Sequence, residues 1–223
     1  MDKKLFIEAI LKFLLGLVLV ALLIFVPANT IKYFYGWLFI ILLFLPMFIA
    51  GIIMFLKSPE LLKHRLNAKE KESEQKKVVA LSGLMFVVGF VLAGLNYRFN
   101  WILLPNGVVI IASAIFLLSY ILYAEVLREN LFLLRTIDVK DNQKIVDTGL
   151  YGIIRHPMYA ITIVLFLAMP LVLNSLISFI VFLVYPVIIV KRITNEEQIL
   201  EAKLKGYKDY QKKVKYKLIP FIW

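Results

Sequence analysis

Residues 149–159 read GLYGIIRHPMY, and residues 160–190 that follow carry no charge. Asn174 and Ser175 interrupt the apolar run near its middle and form a turn signal. The run therefore divides into two pieces, 159–173 and 175–190, each ~22–24 Å long as a helix at ~1.5 Å per residue. Such arms cross a bilayer with local thinning or stand as a helical hairpin against other spans. Pro170 and Pro186 kink or end them. An Arg-His-Pro triplet thus stands at the mouth of an uncharged hairpin.

Outward from this hairpin the chain repeats the same theme. Four longer apolar runs, 5–26, 36–56, 78–96 and 107–127, each come close to the ~20 residues that cross a ~30 Å hydrocarbon layer. None alternates strictly, which favours helices over barrel strands. Hydrophobic residues make up 61% of the chain and the mean hydropathy is +0.84, above the roughly 45–50% apolar content of soluble domains. The expected fold is an all-α integral membrane protein. It has five to six transmembrane helices and a C-terminal helical hairpin. Residues 1–127 hold four spans and 128–223 hold the region with chemistry. Lys3 and Lys4 precede the first run as they would in a signal peptide. Glu8 and Lys12 interrupt its start, however, and no A-x-A-like site follows Val26, so a retained first span is expected.

The formal net charge is +11. The basic residues sit beside apolar runs, so the positive-inside rule and anionic membrane lipid account for them, and no nucleic-acid partner is expected. Of the 26 Lys and Arg residues, 24 fall in the N-terminus, the 57–77 loop, the 128–158 segment and the tail from Lys191; Lys32 and Arg98 alone lie on the other side. Six passes place all the basic segments and both termini in the cytoplasm, and five spans with a re-entrant hairpin give the same split. Trp37 and Trp101 suit an aromatic belt. The 58–77 stretch is a mixed-charge cytoplasmic helix or loop. There is no cysteine, which excludes disulfides and thiolate metal sites. The only histidines are His64 and His156, so a His-rich zinc site is not supported and no metal is expected.

The tail holds a second pattern. Ile193, Leu200, Leu204, Tyr207, Tyr210 and Val214 form a helical stripe opposite Lys203, Lys205, Lys208, Lys212 and Lys213. An amphipathic helix over 194–217 would lie on an anionic membrane surface or pack under the bundle, with Gly206 as a break point.

If the hairpin folds back, the 128–158 segment meets the tail. The polar groups then gathered are Gln143, Tyr151, Arg155, His156 and Tyr159 from one side, and Arg192, Glu196 and Glu197 from the other. Arg192 and Glu196 share a helix face at i, i+4. Pro157 biases His156 out of the helical region. Gly149 and Gly152 allow close approach of a ligand to the backbone. Singly, these are an interfacial arginine, a hydrogen-bonded histidine and a surface ion pair; together they describe a site at the edge of the membrane.

GLYGIIRHPMY, the hairpin, Arg192-x-x-x-Glu196-Glu197, Gly206-Tyr207-x-x-Tyr210-x-x-x-Val214 and a Pro near the end resemble the isoprenylcysteine carboxyl methyltransferase family over roughly residues 125–223. Related phospholipid methyltransferases share this C-terminal pattern. The resemblance implies S-adenosylmethionine as cofactor, bound at a cytoplasmic site, and methyl transfer to a lipophilic or prenylated acceptor, most readily a carboxylate. It places Gln143, Lys144, Ile145, Val146, Tyr151, His156, Pro157, Met158 and Tyr159 on the cofactor, closed by Glu196 or Glu197. Arg192 faces the substrate carboxylate, and Arg155 is a second substrate-side or catalytic arginine. The family's Phe-Gly-x-x-Tyr is here Lys205-Gly206-Tyr207, which leaves the choice of glutamate open.

The residues agree with this chemistry. None of the ten glycines forms a GxGxxG, so a Rossmann-type site is not supported. Methyl transfer from a sulfonium needs positioning more than acid–base power. Tyrosine faces favour the sulfonium, a carboxylate accepts from ribose or ammonium groups, and an arginine fork holds a carboxylate. A phospholipid amine acceptor, an NADPH-dependent membrane reductase and a small transporter are the competing readings. The few charges in spans 1–4 and the absence of a repeat weigh against the transporter.

Overall fold

Residues 3–66, 73–130 and 145–223 are described by the computed structural model, and every regular element among them is helical. The first four apolar runs become α1 (Lys3–Ala28), α2 (Phe34–Lys57), α4 (Ser73–Phe99) and α5 (Asn106–Glu129), with the short α3 (Pro59–Leu66) between α2 and α4. One 3-10 turn, Gly149–Gly152, precedes α6 (Pro157–Val172), α7 (Leu176–Phe182), α8 (Val184–Lys203) and α9 (Tyr207–Lys213). Among the described residues, five segments are long and apolar enough to cross a membrane: α1, α2, α4, α5, and α7 with α8 across Leu176–Lys203. The chain is therefore an all-α membrane protein, in agreement with the expectation.

The bundle is apolar on both sides of its wall. Ile24, Phe39, Phe116, Phe182 and Ile193 are fully buried, while Leu15, Ile110, Ile121 and Val187 stand outward and exposed. An outer surface of this kind suits hydrocarbon, where helices gain by close packing rather than by escaping water.

The hairpin forms for local reasons. Pro157 sits at the first turn of α6, where its missing N–H costs nothing. Asn174 takes φ 55°, and the Ser175 hydroxyl accepts from the Ser178 N–H at 3.2 Å to cap α7. The helix breaks at Leu183, three residues before Pro186, which cannot donate to Phe182. The hairpin tip is then tied to the rest of the bundle. Asn96 Nδ2 donates to the Asn174 carbonyl at 3.3 Å, the Leu104 N–H donates to Asn174 Oδ1, and the Tyr33 hydroxyl donates to the Leu173 carbonyl. Tyr33 lies in the α1–α2 connection and Leu104 in the α4–α5 connection. The hairpin therefore runs the length of the bundle, and its tip reaches the end that carries Trp37 and Trp101.

The tail departs from a continuous helix over 194–217. The membrane helix α8 runs on to Lys203, the chain turns at residues 204–206, and α9 follows. Gly206 supplies the break, with φ 86°. The expected stripe is buried all the same: Tyr207, Tyr210 and Val214 pack with Ile145, Leu200 and Leu204. The stripe thus packs under the bundle, while the five lysines of the opposite face stay exposed.

Candidate functional site

The site begins where α5 ends. Gly149 takes φ 51°, and a Cβ there would fall 1.3 Å from Glu129 Oε1. The Leu150 N–H donates to Glu129 Oε2 at 3.1 Å. The close approach at Gly149 is therefore made by the chain's own carboxylate. The turn carries Tyr151 inward against Val126 and Ile161, with Val146 and Met158 at the edge of the same cluster. The Tyr151 carbonyl accepts from the Tyr210 hydroxyl at 2.8 Å, which ties α9 to the turn. Burial pushes the phenols of Tyr151, Tyr207 and Tyr210 above their ordinary value.

His156 holds a non-helical backbone, φ −125° and ψ 59°, immediately before Pro157, as the proline requires. The freed backbone groups are taken by the tail. The Arg155 N–H donates to the Tyr216 carbonyl and the His156 N–H to the Lys217 carbonyl, each at 2.9 Å. Arg155 also donates from Nη1 to the Val214 and Lys215 carbonyls at 2.8 and 2.9 Å. Residues 214–217 are thereby strapped across the mouth of the hairpin.

Under the strap lies a buried ion cluster. Arg155 Nε donates to Glu197 Oε1 at 2.7 Å, His156 Nε2 lies 3.2 Å from the same oxygen, and Lys217 Nζ is 3.0 Å from Glu197 Oε2. Arg155 is 8% exposed, and His156 and Glu197 are 5% exposed. Both oxygens of Glu197 are engaged, and the Arg155 side chain is committed to Glu197 and the tail rather than to a cavity. Buried charges of this kind persist only with their partners in place.

One residue earlier on α8 the arrangement is different. Arg192 Nε donates to the Tyr159 hydroxyl at 2.8 Å, and that hydroxyl donates to Glu196 Oε2 at 2.6 Å. The His156 ring stacks on Tyr159 with centroids 5.7 Å apart, which joins this relay to the ion cluster. Glu196 keeps part of its surface open, and the adjacent Asn195 Nδ2 is buried with no hydrogen-bond partner among the described residues. A donor left without a partner when buried costs about 1–3 kcal/mol. An open carboxylate beside the Tyr159 hydroxyl can accept from the ammonium and ribose hydroxyl groups of a cofactor.

Arg192 and Tyr159 also form part of the wall of a cavity of about 350 Å³, with Met158, Phe86, Phe166 and Arg65. A second cavity of about 540 Å³, between α1, α2 and α3, is apolar apart from Lys12 and Arg65. The described residues contain no group of three or more metal-ligating side chains.

The structure thus brings together Arg155, His156 and Glu197 in one cluster and Tyr159, Arg192 and Glu196 in another. It sets Tyr151, Val146 and Met158 beside them, while Ile145 turns the other way, toward α9. Pro157 starts α6. Gln143 and Lys144 lie outside the described residues. Lys217, Glu129, Asn195 and Arg65 were not foreseen. Lys217 meets Glu197 from twenty positions further along the chain, with no periodic signal. Arg65 reads in the sequence as one more positive-inside charge.

Residues 108–202 match the model of the isoprenylcysteine carboxyl methyltransferase (ICMT) family. The matched region starts in α5 and ends in the last turn of α8, so it contains both clusters except Lys217, and it excludes Arg65. No curated protein matches the chain.

Proposed function

Since the chain belongs to that family of membrane methyltransferases through residues 108–202, we propose that it methylates a carboxylate of a lipophilic acceptor of the isoprenylcysteine type, with S-adenosylmethionine as cofactor. The observation that carries this reading is the Arg192–Tyr159–Glu196 relay, which joins the wall of an apolar cavity to an open carboxylate.

Glu196, Tyr151, His156 and Tyr159 would hold the cofactor, with Val146 and Met158 against its apolar parts. Bound there, S-adenosylmethionine supplies an electrophilic methyl group together with its own leaving group. Arg192 holds the acceptor carboxylate by its guanidinium fork and aims one oxygen. Tyr159 couples the two halves by fixing Arg192 and Glu196 to one hydroxyl. No general base is needed, because a carboxylate is already the nucleophile at neutral pH. The apolar wall excludes water and receives the hydrocarbon of the acceptor. Arg155 and Glu197 act as positioning residues through the strap. A cationic cavity wall also favours a carboxylate over a phospholipid amine. With the basic segments and termini on the cytoplasmic side, the cofactor arrives from water and the acceptor from the membrane.

Calorimetric titration of S-adenosylhomocysteine into detergent-purified protein tests the reading. Saturable binding to wild type, weakened at least about tenfold by Glu196→Gln with an unchanged Tm, is expected. A folded wild type that binds none sinks the proposal, and a titration with NADPH would then examine the reductase alternative.

A further inference from the structure

Beyond the strap the chain closes on itself. Residues 217–223 form a hook in which the Trp223 backbone oxygen accepts from the Lys217, Leu218 and Ile219 N–H groups at 2.9, 2.9 and 3.1 Å. Lys217 Nζ lies 5.0 Å from the Trp223 ring centroid and also meets Glu197. Leu218 is buried in the bundle core and Trp223 packs against it. The hook is therefore fixed to the bundle where α6 begins, at the point where the His156 N–H meets the Lys217 carbonyl. Its other face is apolar and open: Ile219 is 51%, Phe221 87% and Ile222 77% exposed. Phe221 takes φ 67°, a conformation that a bulky L residue rarely adopts. Its ring approaches Tyr216 with centroids 5.3 Å apart and otherwise stands clear of the fold. A turn that suits glycine thus displays a phenylalanine beside Ile222, and the folded chain gains little from either side chain.

The chain that leads into the hook is strongly basic. Residues 203–217, KLKGYKDYQKKVKYK, carry seven lysines against one acid, Asp209, and Lys205, Lys208, Lys212, Lys213 and Lys215 stand exposed. We infer that the hook is an interfacial anchor for an anionic lipid surface. Ile219, Phe221 and Ile222 enter the headgroup boundary beside the bundle, and the lysines of 203–217 meet lipid phosphates. Two observations select a bilayer as the occupant. The hook continues an outer wall of the bundle that is itself exposed and apolar. Aliphatic and aromatic side chains next to a run of lysines also match the layering of a membrane surface, hydrocarbon beneath anionic headgroups. The anchor bears on the site through the strap. Residues 214–217 lie between α9 and the hook, so lipid that holds the hook also holds the carbonyls that receive Arg155 and His156. This role is independent of the reaction carried out at the site.

The chain has no cysteine, so Phe221→Cys and Ile222→Cys each carry a single nitroxide label. The experiment compares collision of that label with oxygen, which concentrates in lipid, and with a water-soluble nickel chelate. The full chain is reconstituted in vesicles of phosphatidylcholine and phosphatidylglycerol. The oxygen-to-nickel ratio at both positions should be several-fold above that of the same label at Lys208→Cys, and it should fall in vesicles of phosphatidylcholine alone. Hydrogen exchange across 214–217 should be slower in the mixed vesicles than in phosphatidylcholine. High nickel accessibility at 221 and 222 would place the hook in water and overturn the anchor. Low accessibility to both reagents would mean that protein covers the hook, and would overturn it equally. An unchanged ratio in phosphatidylcholine alone would overturn the preference for anionic lipid, and unchanged exchange would overturn the link to the strap. Ile222→Cys decides even if Phe221→Cys fails to fold.

Discussion

Glu197 meets Arg155, His156 and Lys217 under the C-terminal strap, whereas Glu196 accepts from Tyr159 and keeps an open edge. Successive residues of a helix project ~100° apart, so the two carboxylates look toward different elements. Glu197 faces the 155–156 turn and the tail, and Glu196 faces α6. The first meets three basic partners and is buried beneath the strap. The second is held by one hydroxyl and can still accept. The comparison teaches that chemical availability at this membrane edge is set by how many cations the rest of the fold delivers to each carboxylate. The motif that carries them does not set it.

The sharpest way to break this contrast is Glu197→Gln. It leaves the buried Arg155 without a counter-charge, and loss of one partner from such a pair costs about 3–5 kcal/mol. The detergent Tm should fall steeply, while an unchanged Tm would mean that the cluster does not hold the strap. Tyr159→Phe should act on the other side of the contrast. It deletes the hydroxyl that links Arg192 to Glu196, both of which keep part of their surface open. A fall of roughly tenfold to a hundredfold in kcat/KM is expected with little change in Tm, and a large loss of Tm instead would place the relay with the structural cluster. The smallest effect belongs to Asp147, whose Oδ2 lies 2.6 Å from Lys213 Nζ. That contact holds the Asp147 carboxyl below its ordinary range, so the pair is complete at neutral pH and is lost only as pH falls through the lowered value. Both partners are exposed, and Asp147→Asn should leave the Tm at pH 7 where it is. A clear drop would show that an exposed pair can secure α9 as the buried cluster secures the strap.

Much of the fold was legible because a bilayer imposes length and apolarity on each crossing segment. The runs at 5–26, 36–56, 78–96 and 107–127 lie within α1, α2, α4 and α5. The turn at Asn174 and Ser175 and the break at Gly206 were legible from residue chemistry. The end of the tail helix was not, since a periodic stripe survives a change of direction when both pieces bury the same face. The choice between Glu196 and Glu197 could not be read either. It depends on Lys217 and on the carbonyls of Val214 and Lys215, which reach the 155–156 turn from sixty positions away. Arg65 stayed hidden because one arginine among many near a membrane face carries no pattern of its own.

The strap has a meaning in the order of synthesis as well as in the finished molecule. Arg155 leaves the ribosome about sixty residues ahead of the carbonyls that receive its guanidinium. In that interval the hairpin must insert, turn and return before Glu197 and the strap can arrive. A hairpin whose second arm failed to return would leave Glu197 on the opposite face and Arg155 with no acceptor, so the mouth of the site can close only once both arms are in place.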